Sequence, residues 1–596
     1  FPYTTLFRSK RKGLKTTGFR PHRLMWLPLG SKGIIMKKYK VLFGSADRED
    51  AGRTRLKGRI GEMEQRVLSR LRGPEFNELF LIADLDFNQK RWFTNYSGDI
   101  SGRFLEIMSL AGNGSKDYHP ALSFMLEKIP ENQRDAGHFG IPVDWSGPID
   151  YEQPMPDGTQ PPVPRMMPIL WGSSRMFPGL IEAYLAFQDE QMLACAKKLG
   201  DFYINTREEL ASPLRVEEYH ATGTYAAGYA TCYFPGMEGL VRLYEVTGED
   251  KYLGQARNMA DFREKYGFDR LPFEHTHGYL CCVYSLLLIY KESGEKRWLS
   301  MAEKNWTDLV EGGYVTPSGG LLEKGVPGFH WDEGCSQADW IRVNLLCYEL
   351  TGEVKYLDMA ERVLYNQFRI NQCETGGFGH RRVLYDEYGV AGYGKYEEEA
   401  LWCCDFHGAM ALQNLKKYVV MKQKKKDGSY FIPFLFDFEA QNEEVFVSVE
   451  EIGTSGGLKR WRIMGKAENT GTAENTGTEH PVEIAVRIPD WAGPSTLYDE
   501  GGTPLPVRIE ANMLYLPIGK EPAVYLWEAF CPVYLEDRCF HKTHPGQEAE
   551  KKGCILRQGP DLLAARIGET QPAVVGRMED NGEAVYIFHT SPSAAK

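Results

Sequence analysis

Val246-Thr-Gly-Glu-Asp-Lys-Tyr-Leu-Gly-Gln-Ala256 is restated twice further along the chain, as Glu292-Ser-Gly-Glu-Lys-Arg-Trp-Leu-Ser-Met-Ala302 and as Leu350-Thr-Gly-Glu-Val-Lys-Tyr-Leu-Asp-Met-Ala360. A fainter version, Phe187-Gln-Asp-Glu-Gln-Met-Leu-Ala-Cys-Ala196, precedes them. Each clear restatement has the same physical content. An apolar run such as Gly239-Leu-Val-Arg-Leu-Tyr-Glu-Val246 predicts a helix, and the glycine after it suits the left-handed position that ends one. An acidic residue then opens a second helix, whose Tyr/Trp-Leu-x-x-Ala supplies an apolar face at helical spacing. The unit is a helical hairpin that recurs every 45 to 60 residues or so. Hairpins that cannot bury their faces alone must stack, as an open solenoid or a closed toroid of paired helices. The long connections at 137–168 and 312–332 favour closure, because a toroid gathers such loops at one end, where a pocket forms. The first of them, from Gly137-His-Phe-Gly-Ile-Pro-Val-Asp-Trp145 into a proline-rich stretch, is too long for a plain connection and reads as pocket rim. Trp145 and Trp171 are candidate sugar-stacking faces, with burial in the core as the equal alternative.

Beyond Lys426 the period changes from helix to strand. Tyr430-Phe-Ile-Pro-Phe-Leu-Phe436, Glu444-Val-Phe-Val-Ser-Val449, Val482-Glu-Ile-Ala-Val-Arg-Ile488, Met513-Leu-Tyr-Leu-Pro517 and Ala523-Val-Tyr-Leu526 are β-rich runs with turn residues between them. They predict a β-sandwich. Ala467-Glu-Asn-Thr-Gly-Thr472 is repeated at once as Ala473-Glu-Asn-Thr-Gly-Thr478, a polar, low-complexity segment assigned to a hairpin loop without function. The expected organisation is a non-native or disordered leader at 1–40, a helical domain at 41–425, a β-sandwich at 426–540 and a partial second sandwich at 541–596.

At 596 residues there is ample material for a large core. A net charge of -11 without a long basic stripe argues against nucleic acid as a partner. The lysine-rich run 422–426 reads as a solvated linker. No apolar stretch is long enough to span a membrane, and Tyr279–Tyr290 suits a buried helix instead. The 12 cysteines are irregularly spaced, unlike a secreted disulfide framework, so a cytoplasmic setting is expected, with a missing leader keeping secretion open.

The candidate chemistry lies between Glu323 and Cys404. Glu333-Gly-Cys335 can present both side chains to one point, and the vicinal Cys403-Cys404 can do so across an irregular backbone. Three sulfurs and a carboxylate form a plausible tetrahedral shell for Zn²⁺. A thiolate held there would be ionised near neutrality, as a nucleophile must be. On spacing alone, buried structural cysteines explain the pattern better. The pair Cys281-Cys282 lies on an apolar helix, where adjacent side chains diverge by about 100°, and is assigned to the core.

Taken together, the helical echoes, Glu333-Gly-Cys335, Tyr365-Asn-Gln-Phe368, Trp402-Cys-Cys404, Arg487-Ile-Pro-Asp-Trp-Ala492 and Gly559-Pro560 resemble glycoside hydrolase family 127, the β-L-arabinofuranosidase-like proteins. The resemblance runs from about Lys57 to the C-terminus, with the motifs in the same order. It implies an (α/α)₆ barrel followed by β-sandwich domains and a retaining glycosidase acting on a glycoside. It implies Zn²⁺ held by Glu333, Cys335, Cys403 and Cys404, with Cys403 as nucleophile and Glu323 as general acid/base. His277 resembles a pocket histidine of the family, and His407 and Trp145 are further substrate-contact candidates. Two features depart from the family pattern. Glu323 and Glu333 are closer together, which leaves Asp332 and Glu274 as substitutes for the acid/base. Asp405-Phe406-His407-Gly408 after the cysteine pair alters the pocket wall. The rival readings are a carbohydrate-binding or scaffold protein with a structural zinc, and a hydrolase in which zinc activates water. The latter is disfavoured because four protein ligands leave no open position. A homodimer is an allowed assembly.

Overall fold

The computed structural model describes residues 39–41, 54–85, 97–140, 166–222, 225, 232–268, 275–312, 314–316, 318–323, 332–386, 389–423, 429–455, 457–468, 482–540, 551–567, 575–578 and 584–587. Trp145 and Glu274 lie outside them, as do most of the tandem hexapeptide and the end of the lysine run.

Among the described residues, twelve of the helices frame the first part of the chain: α1 (Gly58–Leu71), α2 (Asp99–Ala111), α3 (Leu122–Glu131), α4 (Met166–Phe187), α5 (Glu190–Asn205), α6 (Gly236–Thr247), α7 (Asp250–Lys265), α8 (Thr276–Ser293), α9 (Lys296–Glu311), α10 (Gly334–Thr351), α11 (Val354–Val363) and α12 (Cys404–Lys416). Each echo becomes one hairpin between consecutive helices. Gly248, Gly294 and Gly352 follow α6, α8 and α10 at φ +69°, +71° and +77°, and each N–H closes the last helical turn. The hydroxyls of Thr247, Ser293 and Thr351 accept from the backbone N–H of Glu249, Glu295 and Glu353, fixing the turn into the next helix. Tyr252, Trp298 and Tyr356, the aromatics of the echoes, are fully buried.

The hairpins stack in sequence order. Helix α2 packs on α4, α4 on α6, α6 on α8, α8 on α10 and α10 on α12, and α12 packs back on α2. Each of the six has a partner on its flank: α3, α5, α7, α9, α11 and α1 respectively. The six are buried on most sides, which explains why α10 and α12 lack a clear amphipathic stripe. Helices α2 and α4 approach closely: a Cβ on Gly179 would lie 2.2 Å from the Gly102 carbonyl.

The rest of the chain is mostly sheet. One sheet runs in the order Tyr39–Val41, Met421–Gln423, Ser429–Ile432, Val482–Arg487, Met513–Ile518, Ile509–Glu510. Its neighbours are antiparallel except Ser429–Ile432 beside Val482–Arg487. The other runs Pro504–Leu505, Ser495–Asp499, Ala523–Phe530, Leu458–Ala467, Val445–Ser455, Phe438–Gln441, Thr54–Leu56. The sheets meet face to face: Gly465 of the second lies under Ile484 and Ile518 of the first, where a Cβ would come within 2.6 Å of both. Two short strands from before the helices, Tyr39–Val41 and Thr54–Leu56, complete these sheets, although the expected organisation has 1–40 as a leader and 41–425 as the helical domain. A three-stranded sheet (Val533–Phe540, Lys551–Gln558, Asp561–Ile567) and a short hairpin follow.

Three motifs flagged in the sequence join helices to sheets. Arg487 reaches Glu361 and Asp358 of α11, and the Trp491 indole N–H donates to Glu361 at 3.0 Å. Asn366, in a π-helical turn after α11, donates to the Pro560 carbonyl at 3.0 Å and accepts from the Leu562 N–H at 2.8 Å.

Candidate active site

Two helix N-termini meet at the cysteines. Glu333 precedes α10 in an extended conformation and Cys335 is the second residue of that helix. Cys403 precedes α12 with φ −147° and ψ −60°, an irregular backbone that lets it and Cys404 face one point. The ligand atoms of Glu333, Cys335, Cys403 and Cys404 all lie within 4.8 Å of one another. Cys335 Sγ is 3.7 Å from Cys404 Sγ, and the Sγ atoms of Cys403 and Cys404 are 3.6 Å apart. Tetrahedral Zn–S bonds of ~2.3 Å would place sulfurs about 3.8 Å apart. The donor set and its spacing therefore fit zinc. All four residues are buried. Cys403, 7% exposed, is the most open of the three cysteines, as a nucleophile needs.

The electrostatics favour the ionised forms of Glu333 and Cys403. Helix N-termini favour negative charge. Burial works against ionised Glu333, but His275, with Nε2 3.3 Å from Glu333 Oε2, outweighs it and holds the carboxyl well below its usual range. Hydrogen bonds from Cys335 and Cys404 lower the Cys403 thiol to about 7 against the effect of burial. Burial pushes the thiols of Cys335 and Cys404 up.

His277 and His407 are placed behind the cysteines, one on each side of Asp339. His277 Nδ1 bonds one Asp339 oxygen and its Nε2 lies 2.9 Å from Arg103 Nη2. His407 Nε2 is 2.7 Å from the other Asp339 oxygen. The rings are 1% and 2% exposed, so in this state both are closed off from solvent. Burial lowers both imidazoles, His407 to about 4. The three side chains have the spacing of a metal site. Two guanidinium groups lie against this group: Arg342 donates to Asp339 at 2.7 Å, and Arg103 faces His277. Arg103 also bonds Asp99 at 2.7 Å and lies 3.8 Å from Cys335 Sγ. Cys281 Sγ is 3.4 Å from Asp339, so it belongs to this polar layer, while Cys282 packs in the core. Trp171 is buried against His275 and His277.

Glu323 lies in a segment pinned from three sides. The Gln337 amide accepts from the Leu321 N–H at 3.1 Å and donates to its carbonyl at 2.6 Å. The Thr276 N–H donates to the Glu323 carbonyl at 2.7 Å. Leu322 bridges to Asp332. The Glu323 side chain is 21% exposed and its Oε2 is 3.6 Å from His380 Nδ1. Burial opposes charge on His380, yet its bond to Glu323 and the nearby Glu333 and Asp332 lift it to about 9. His275 and His380 each respond to both Glu323 and Glu333, which places the four groups in one electrostatic neighbourhood. Asp332 is fully buried and accepts from Gln367 at 2.8 Å, so it is less available for proton transfer than Glu323.

Sequence reasoning missed Arg103, His275, Asp339, Arg342 and His380. Asp339 was detectable, four residues after Cys335 on the same face of a helix. His380 was not, because it arrives on a hairpin, Gly379–Asp386 with Gly389–Glu399, inside a region read as helical.

The family model for the β-L-arabinofuranosidase GH127 catalytic domain matches residues 94–417, more than half of the chain. Among solved structures, the chain is similar to a GH127 β-L-arabinofuranosidase from Geobacillus stearothermophilus T6, at 13% identity, covering 86% of each chain with a TM-score of 0.58. A second GH127 β-arabinofuranosidase is 15% identical over 88% of this chain and 84% of its own, TM-score 0.58. A third similar structure, described as a glycoside hydrolase, is 13% identical over 86% and 82%, TM-score 0.58. No curated protein matches the chain.

Proposed function

The chain belongs to the GH127 β-L-arabinofuranosidase family and is a glycoside hydrolase, and from this premise we propose that it cleaves β-L-arabinofuranosides with retention, using Cys403 as nucleophile and Glu323 as acid/base. The observation that carries the reading is the convergence of three cysteines and Glu333 at two helix N-termini, beside a pinned, partly exposed carboxylate. Glu333, Cys335, Cys403 and Cys404 would hold zinc, which when bound would keep the thiols deprotonated and oriented.

Cys403 Sγ attacks the anomeric carbon; the C–S bond forms as the bond to the leaving oxygen breaks. Glu323 gives its proton to that oxygen. In the second step Glu323 takes a proton from water, the water oxygen bonds to the anomeric carbon, and the thiolate leaves. The two inversions give net retention. His380, against Glu323, holds a proton that the pair can share. Arg103, anchored by Asp99 and His277, offsets negative charge at the cysteines. His277 and His407 are assigned to orienting this layer through Asp339. Trp145 remains a proposed substrate contact.

We read the cyclic packing of six helices, each with a flanking partner, as an (α/α)₆ toroid, and the facing sheets as a β-sandwich. None of the described helices is long and apolar enough to cross a membrane. The test of the mechanism is mass spectrometry after reaction with a slow furanosyl substrate. A thioglycosyl adduct on Cys403 is expected, together with turnover of nitrophenyl β-L-arabinofuranoside. Turnover retained by Cys403→Ser would overturn the thiolate mechanism.

A further inference from the structure

A cavity of about 290 Å³ opens between the same six helices, lined mostly from their middles and C-terminal ends. The cysteines sit at the start of α10 and α12, whereas the cavity is lined from α10 by Leu346 and Glu349 and from the end of α12 by Asn414 and Lys417. Cys335 and Glu349 are fourteen residues apart along α10, which at 1.5 Å per residue is about 21 Å. Its inner wall is Arg342, seven residues or about 10 Å along α10 from Cys335, so it is a separate chamber that runs from beneath the Asp339 layer to the far end of the helices, with none of the cysteines in its lining. Every one of the six helices contributes to its wall, with Glu106, Glu182, Arg242, Lys291, Glu349 and Asn414 as one polar group from each.

The wall carries both signs of charge. Five carboxylates (Glu106, Glu182, Glu238, Glu245, Glu349) face four cations (Arg242, Lys291, Arg342, Lys417). Most are paired internally: Arg342 with Glu238, Arg242 with Glu182, Lys291 with Glu245. Glu349 accepts from the Tyr418 hydroxyl at 2.9 Å. Lys417 differs. Its ammonium has no hydrogen bond or ion pair among the described residues, although it is only partly exposed. An anion entering would meet the carboxylates and the negative ends of the helix dipoles. A cation would meet Lys417 and Lys291. A neutral polyol meets neither problem: its hydroxyls donate to carboxylates and accept from Lys417 and the Asn414 amide. Its C–H faces have an apolar wall in Leu185, Leu288, Leu346 and Tyr284. The volume is at the small end for ligand pockets and suits one ring rather than a chain.

We propose that this cavity is a second carbohydrate site, which takes a single neutral sugar ring and performs no chemistry on it. The test is titration of the full chain with L-arabinose, D-galactose and D-xylose, with sodium phosphate and putrescine as charged probes. At least one sugar is expected to bind the wild type. That binding should weaken by about tenfold or more in Lys417→Met and in Leu346→Phe, while circular dichroism and the KM and kcat for a nitrophenyl glycoside stay unchanged. The proposal is overturned if no sugar binds, if phosphate or putrescine binds there in preference, or if sugar binding survives both variants. Because turnover is followed separately, such a failure would leave the catalytic reading standing.

Discussion

On the proposed mechanism Cys403 and Cys335 are both zinc donors and only Cys403 is also the nucleophile, so their substitution separates chemistry from scaffold. Cys403→Ser should reduce turnover by about 10³-fold or more, as loss of a nucleophile does in other hydrolases. Cys335→Ser should deplete bound zinc and lower the melting temperature; elemental analysis and thermal unfolding check both. A second residue-scale prediction concerns His380. Raised to about 9, its imidazole keeps a proton next to Glu323 until the pH approaches that value. The alkaline limb of the pH–rate profile should therefore fall near pH 9, and in His380→Gln it should move toward acid, because Glu323 then has no partner that retains the proton. An unmoved limb would remove His380 from the proton path. The cysteines and Glu333 were readable from sequence because each pair is local in the chain. His275 was overlooked two residues before His277. His380 depends on a strand pairing that no local pattern announces.

The helical hairpins were legible because their turn chemistry is local: glycine in the left-handed position, a hydroxyl that accepts from the residue two further on, an acidic N-cap residue and a buried aromatic. The faint fourth echo shows the same geometry without the glycine. Gln188 takes φ +52° after α4, a conformation that costs an L-residue roughly 1 kcal/mol. Gln188→Gly should therefore raise stability by up to about 1 kcal/mol, less what the flexible glycine loses as unfolded-chain entropy. Gly352→Ala should lower it by a similar amount. Urea denaturation of both variants would show the opposite signs, and equal signs would refute the shared geometry. The hairpin carrying His380 escaped notice. Gly389-Val-Ala-Gly-Tyr-Gly-Lys-Tyr396 has three glycines, which weaken a strand pattern, and the preceding helical rhythm masked the change of period. The strands Tyr39–Val41 and Thr54–Leu56 were equally hidden, since only partners some 380 residues away complete them.

At the scale of the whole molecule, buried charge holds the parts together. Burial opposes ionisation of Glu238, but Arg342 and Arg175 outweigh it and bring its carboxyl to about 2. A carboxyl whose folded value is depressed adds stability above its unfolded value, and that stability is lost as the pH falls. The window here runs from about 4.5 down to about 2, worth about 3 kcal/mol at ~1.4 kcal/mol per unit. The acid-unfolding profile of Glu238→Gln should be flatter in that window. The join between helices and sheets rests on Arg487, 3% exposed, which bonds Glu361 and Asp358 from the sheet side. Arg487→Met would leave the Glu361 carboxylate buried with only the Trp491 N–H, and breaking a buried pair on one side costs about 3–5 kcal/mol. Removing both partners, as in Arg487→Met with Glu361→Met, should cost clearly less than Arg487→Met alone, because no charge is then stranded. The single variant should also separate the unfolding of the two parts. Far-ultraviolet ellipticity at a helix-dominated wavelength and tryptophan fluorescence, to which Trp461, Trp491 and Trp527 of the sheets contribute, should then give different urea midpoints where the wild type gives one. Coincident midpoints with a loss below about 1 kcal/mol would mean that the strands from before the helices, and the Asn366 contacts with Pro560 and Leu562, hold the join without Arg487.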